Sequence, residues 1–168
     1  ARNPLLGSRT FQADPSRGSR VVPIAELFRD LRSGSLPAVS WILPNAEESE
    51  HPMTDVRVGM WYVTAVVNAL MESPCWDTSS LIITWDEYGG WYDHAAPPRV
   101  DEDGYGIRVP ALIVSPYARP GLVDHTVYDF ASFLRFVENL HGLAPLADRD
   151  GNANDLGASL DMGQAPLP

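Results

Sequence analysis

A chain of 168 residues, 45% of them hydrophobic, is long and apolar enough for one domain with a sizeable core, which excludes disorder as the starting expectation. A formal net charge of −10 excludes the broad basic face that a nucleic-acid partner needs. It leaves phosphate chemistry open, because a bound divalent cation reverses the local field. The single cysteine, Cys75, excludes an internal disulfide framework, and no apolar run reaches transmembrane length.

In chain order, residues 1–20 are rich in Arg, Ser, Gly and Pro and read as a surface arm or a truncated linker. The chain starts at Ala1 without methionine, as expected of a processed protein or a piece of a longer one. Ile24, Leu27, Phe28 and Leu31 recur at helical spacing, so a short amphipathic helix is predicted over 23–33, stopped by Gly34. The apolar run 38–43 predicts a buried strand closed by Pro44. An acidic loop follows, with Glu47, Glu48, Glu50 and His51. Asp55 is placed as the N-cap of a long helix reaching about Glu72, with Val58, Trp61, Tyr62, Ala65, Val66, Ala69 and Leu70 on its apolar face. Residues 81–85 predict a second buried strand and 109–114 a third, separated by a long loop. A last helix is expected over 129–141, ended by Gly142, before a tail rich in Asp, Asn, Gly and Pro. Short apolar strands alternating with helices predict an α/β fold with a mainly parallel sheet flanked by helices, the helix between the first two strands forming a right-handed crossover. In domain terms, 21–168 reads as one unit behind the arm.

The chemistry concentrates where the second strand ends. Asp86 and Glu87 are adjacent carboxylates, which repel unless a cation or a proton intervenes. Gly89 and Gly90 then allow a sharp reversal, expected to use positive φ, before Asp93 and His94. Oxygen and imidazole donors together suit a divalent metal ion, whose identity the residues leave open. The same pair would also serve as a solvated strand end with an acidic turn. His51 lies in a loop after the first predicted strand. If the first two strands are neighbours, both loops open on one sheet edge, and His51 and His94 converge with Asp86 and Glu87. An exposed acidic loop that happens to contain a histidine is the competing reading. His125 fits a supporting or loop role, and His141 fits the favourable end of a helix dipole. The run 148–155 departs from a calcium loop, with Ala153 and Ser159 at its glycine and glutamate positions, and reads as an acidic surface turn. There is no Gly-rich phosphate loop, no Gly-x-Ser-x-Gly elbow and no Cys/His zinc cluster.

The run Thr84-Trp85-Asp86-Glu87-Tyr88-Gly89-Gly90-Trp91-Tyr92-Asp93-His94, followed by Pro97-Pro98, resembles the signature of the phosphoesterase family that holds bacterial phospholipases C and related acid phosphatases. Further segments agree in order: 36–41, Ser49-Glu50-His51-Pro52, 104–110, 115–118, 123–125 and 132–138. The resemblance implies the C-terminal half of an alkaline-phosphatase-like fold and a metal-assisted phosphoester hydrolase acting through a covalent phospho-enzyme. It further implies that Asp86 and Glu87 are metal ligands, that His51 and His94 are catalytic contacts to the phosphoryl group or leaving oxygen, and that the protein is exported. The substrate class is a phosphoester or phospholipid. The family's nucleophile comes from an N-terminal half that this sequence lacks; Ser49 and Thr54 lie near the histidine loop, but nothing singles them out. The rival expectation is a non-catalytic domain that keeps the fold and binds a metal or an anion.

Overall fold

The short amphipathic helix forms where its spacing predicts, and its ends follow from local chemistry. A computed structural model describes residues 3–168 as two compact units, one running to Ser79 and the other from Ser80 to Pro168. In the first unit, the arm is built of tight turns. A 3-10 turn at Pro4–Gly7 precedes α1 (Arg9–Gln12) and α2 (Pro15–Gly18), each capped by a side chain from Asn3, Ser8 or Asp14. α3 (Ile24–Ser33) ends on Gly34, whose φ of 71° places it in the left-handed region that closes helices. α4 (Val56–Met71) opens on Asp55, whose carboxylate accepts the Arg57 N–H at 3.0 Å. α3 packs on α4, and the small core holds Leu31, Val66, Leu70 and Trp76. Only part of the predicted α4 face is covered, since Trp61 is 72% exposed.

Residues 38–43 correct the sequence-based expectation: they form no strand. A strand needs a neighbour for its N–H and C=O groups, and none of the described residues supplies one. Val39, Trp41 and Leu43 are all exposed instead. The crossover expected from this run, and with it the parallel sheet, is therefore absent from the described residues.

The second unit carries β1 (Leu81–Thr84) and β2 (Ala111–Val114), paired antiparallel with Leu81 opposite Val114 and Thr84 opposite Ala111. The direction of the pairing has a simple cause. Parallel neighbours need a crossover, usually a helix, and the segment between β1 and β2 holds no helix, so β2 returns against β1. The class is α/β, with a two-stranded antiparallel sheet in place of the expected parallel one. α5 (Ala131–His141) starts on a reciprocal pair: Ser132 N–H donates to Asp129 Oδ1 and Asp129 N–H to Ser132 Oγ, both at 3.1 Å. Gly142, at φ 65°, ends it.

The expected acidic surface turn is also corrected. Residues 148–152 form α6 (Asp148–Asn152), a 3-10 turn follows at Leu156–Ser159, and Asp150 is buried. The tail then docks on the turn after β2. Asp161 N–H donates to Tyr117 O and Leu167 N–H to Pro116 O, each at 2.8 Å.

Burial assigns the cost of substitutions. Leu31 is 2% exposed and Leu112 is 54% exposed. Leu31→Ala is expected to lower unfolding free energy by about 2–5 kcal/mol, and Leu112→Ala by well under that, in urea denaturation followed by circular dichroism. Equal losses from the two variants would contradict the position of this core.

Candidate active site

The centre of the candidate site is the segment that leaves β1. Asp86 and Glu87 follow Trp85 at the strand end, and both are exposed. Glu87 turns back on its own loop, its Oε2 accepting the Gly89 N–H at 2.9 Å. Gly89 and Gly90 stand at φ 68° and 78°, both in the left-handed conformation expected of at least one of them. Trp91 N–H closes the turn on Tyr88 O at 3.3 Å. Trp91 and Tyr92 project outward, 80% and 92% exposed.

Asp93 anchors the far side of this turn. Arg108 grips it with two hydrogen bonds, Nε to Oδ2 and Nη2 to Oδ1, both 2.7 Å, while Ala95 N–H donates to Oδ1 at 3.1 Å. The Asp93 side chain is only 13% exposed, and the Arg108 guanidinium, helped by the Ala95 N–H, holds its carboxyl well below the usual range. His94 Nδ1 lies 3.8 Å from Asp93 Oδ1, with its ring open to solvent. A second fork steadies the outer part of the loop. Arg149 Nε and Nη2 donate to the two Asp101 oxygens at 2.8 Å, Nη2 also reaches Gly104 O at 2.7 Å, and the guanidinium stacks over the Tyr105 ring. Neither arginine partner was foreseeable, because the pairs join residues 15 and 48 positions apart.

His51 belongs to the first unit, and Asp86, Glu87 and His94 to the second. The expectation that the four converge rested on residues 38–43 being a strand beside β1, and that premise fails. The His51 loop has its own construction. His51 Nδ1 sits 2.9 Å from Pro52 O, an acceptor only, so Nδ1 carries a proton and Nε2 is left outside that bond. Glu50 and Met53, on either side, have φ of 58° and 83°, uncommon for residues with a Cβ. Gly59 of α4 makes room for the first: a Cβ there would stand 2.2 Å from Glu50 Cγ. The strain at Glu50 and Met53 left no sequence signal, since neither is a residue type that favours this conformation.

The hydroxyls near His51 are engaged in holding the loop. Thr54 Oγ1 donates to His51 O at 2.7 Å, and Ser49 Oγ to Ala46 O at 3.0 Å. His125 is exposed beside Asp124, which accepts from Thr126 N–H, Tyr128 OH and Ser159 Oγ. His141 occupies the last turn of α5, as its dipole role predicts. Among the described residues, no three His, Cys, Asp or Glu side chains gather into a metal-binding cluster. Two adjacent carboxylates are chemically suited to part of a divalent coordination shell and are too few to complete one.

The arrangement is an acidic, glycine-turned loop bearing an open imidazole. The sequence model of the Phosphoesterase family matches residues 8–144, and the chain belongs to that family. It is 32% identical over 167 residues to Phospholipase C B of Mycobacterium tuberculosis, covering 83% of this chain and 32% of that protein. It is 32% identical to the Non-hemolytic phospholipase C of Burkholderia pseudomallei, covering 81% of this chain and 23% of that one. It is also 35% identical over 147 residues to Non-specific phospholipase C6 of Arabidopsis thaliana, covering 69% of this chain and 28% of the plant protein. The chain thus spans about a third or less of the length of these relatives.

Two expected outcomes come from the loop geometry. Gly89→Ala and Gly90→Ala should each destabilise by about 1–2 kcal/mol, because alanine resists positive φ. Gly89 should cost more, since its Cβ would also meet Trp91 Cδ1 at 3.2 Å. Gly106→Ala, with open space around it, serves as the control in the same thermal melts. The Asp93–Arg108 pair sets a pH dependence. A carboxyl whose folded-state pKa is depressed adds stability above its ordinary value, about 3.9 for aspartate, and loses it as pH falls toward the folded value. Acid titration of unfolding should therefore show a component that disappears in Asp93→Asn and in Arg108→Met. An acid profile unchanged by both variants would show that the pair does not hold the loop.

Proposed function

We propose that this chain is the C-terminal portion of a metal-assisted phosphoester hydrolase of the phospholipase C and acid phosphatase type, within an alkaline-phosphatase-like fold. The observation that carries the reading is the Asp86–His94 motif, set on a positive-φ glycine turn at a strand end, in a chain that belongs to the Phosphoesterase family. Asp86 and Glu87 would hold a divalent cation as oxygen ligands. The bound cation would polarise the phosphoryl oxygens and offset developing charge. His94, open to solvent beside the clamped Asp93, donates a proton to the leaving oxygen or stabilises charge on the phosphoryl group. His51, with Nδ1–H fixed by Pro52 O, offers Nε2 for the same class of contact. The substrate class is a phosphoester, with phospholipids the foremost candidates because the relatives carry the name phospholipase C. Export from the cell belongs to the same reading.

Phosphoryl transfer through a covalent intermediate needs an activated hydroxyl, and by the family resemblance that group lies in an upstream half of the domain. Exposed Trp41 and Trp61 in the first unit, and in the second a sheet of only two strands among the described residues, support the view that the domain continues in further chain. The reading predicts that the 168-residue chain does not hydrolyse a chromogenic phosphate ester or phosphatidylcholine with manganese, zinc, calcium or iron present. The same chain extended by its upstream coding sequence should do so, and Asp86→Ala and His94→Ala should each reduce kcat by about 10²–10⁴-fold. Cation binding by the extended protein without turnover would favour a non-catalytic metal-binding domain. Turnover by the 168-residue chain that Asp86→Ala abolishes would place the nucleophile within it and overturn the half-site reading.

A further inference from the structure

α5 and α6 bury two carboxylic acid side chains against each other. Glu138 is 4% exposed and Asp150 3%. Asp150 bends back over the start of its own helix, where its Oδ2 accepts the Leu146 N–H at 2.6 Å and its Oδ1 the Ala147 N–H at 2.8 Å. Neither oxygen of Glu138 has a hydrogen-bond partner when both groups are taken as carboxylates. That orphaning has a chemical reason: an ionised carboxylate only accepts, so two that face each other close no hydrogen bond. A buried, unpartnered charge is costly, and a single proton removes the cost. The proton belongs on Glu138, because Asp150 already satisfies two backbone donors that require an acceptor.

We propose that Glu138 is a protonated carboxyl, under conditions where the other carboxylates of the chain are ionised, and that it latches α5 to α6 by donating a hydrogen bond to Asp150. Deprotonation sets two buried charges against each other and loosens α6. The consequence reaches the candidate site, since Arg149 of α6 holds Asp101 and Gly104 of the long loop. The latch itself stands whether or not the chain hydrolyses phosphoesters.

The surrounding groups agree. Burial pushes the Glu138 carboxyl up, and the Asp150 carboxylate pushes it the same way, against weaker opposition from the Leu146 N–H and Arg135 on its own helix. At Asp150 burial acts upward but is outweighed by the Leu146 N–H, by Glu138 and by the Ala147 N–H, so that group stays ionised. The Leu156–Ser159 turn also packs on α5, and the neighbouring Asp155 is taken up by Asn139 Nδ2 and the Gly157 N–H.

Linkage sets the sign. A raised folded-state pKa contributes stability that is complete below the unfolded glutamate value, about 4.3, and is lost as pH rises through the folded value. Between the two, folding binds one proton more than unfolding, so the unfolding equilibrium constant should rise roughly tenfold per pH unit from this group. Urea unfolding of the 168-residue chain across that range should show this component in wild type and lose it in Glu138→Gln, whose amide still donates to Asp150. Carbon-13 NMR of glutamate side-chain carboxyls in the wild-type chain gives a reading that needs no variant: the Glu138 Cδ resonance should titrate above all the other glutamates. Titration of Glu138 among the others, or the same pH dependence in Glu138→Gln as in wild type, would overturn the proposal.

Discussion

The short antiparallel ladder between β1 and β2 is the constraint on which the candidate site depends. By setting Thr84 opposite Ala111, it forces everything between them to leave and return at one end of the sheet. A long segment without secondary structure is held shut there. Its closure entropy is tolerable, because that cost grows only slowly with length, but its conformation would be unspecified without further ties. Two arginine forks supply them: Arg108 on Asp93 fixes the turn behind Asp86 and Glu87, and Arg149 on Asp101 fixes the outer part to α6. Each is bidentate, which fixes orientation as well as distance.

A two-stranded ladder is marginal by itself, and the C-terminal residues of the chain support it. The tail returns to the turn after β2 through Asp161, Gln164 and Leu167, tying the end of the chain to the strand end. α5, α6 and the Leu156–Ser159 turn pack together, with Leu156 buried and the two acids Glu138 and Asp150 enclosed. From the buried acids through α6 and Arg149 to the loop runs a continuous set of contacts.

The two histidine-bearing loops are built on different principles. The Asp86–His94 turn uses glycines where the backbone enters the left-handed region, so it adopts that shape with little strain. The His51 loop puts Glu50 and Met53 in that region and relies on Asx and hydroxyl contacts, with Gly59 making space. Strain of this kind persists only where surrounding structure enforces it, and it concentrates at functional segments.

How much was legible in the residues depends on the range of the interactions involved. Helix limits were readable at Gly34, Asp55 and Gly142, because capping is settled within a few residues. So was the reversal at Gly89 and Gly90, since only glycine enters that conformation cheaply. The Asp86–His94 motif, with the Ser49-Glu50-His51-Pro52 segment, was enough to place the chain in its family and to nominate Asp86, Glu87, His51 and His94. The run 38–43 misleads, because an apolar pattern specifies an extended chain but not the neighbour that makes it a strand. The direction of the β1–β2 pairing, the grip of Arg108 and Arg149 on distant aspartates, and the burial of Asp150 within what reads as a polar tail were decided only in the tertiary structure. Each depends on contacts between residues far apart in the chain, and local sequence carries no record of which distant charge, strand or proton will complete them.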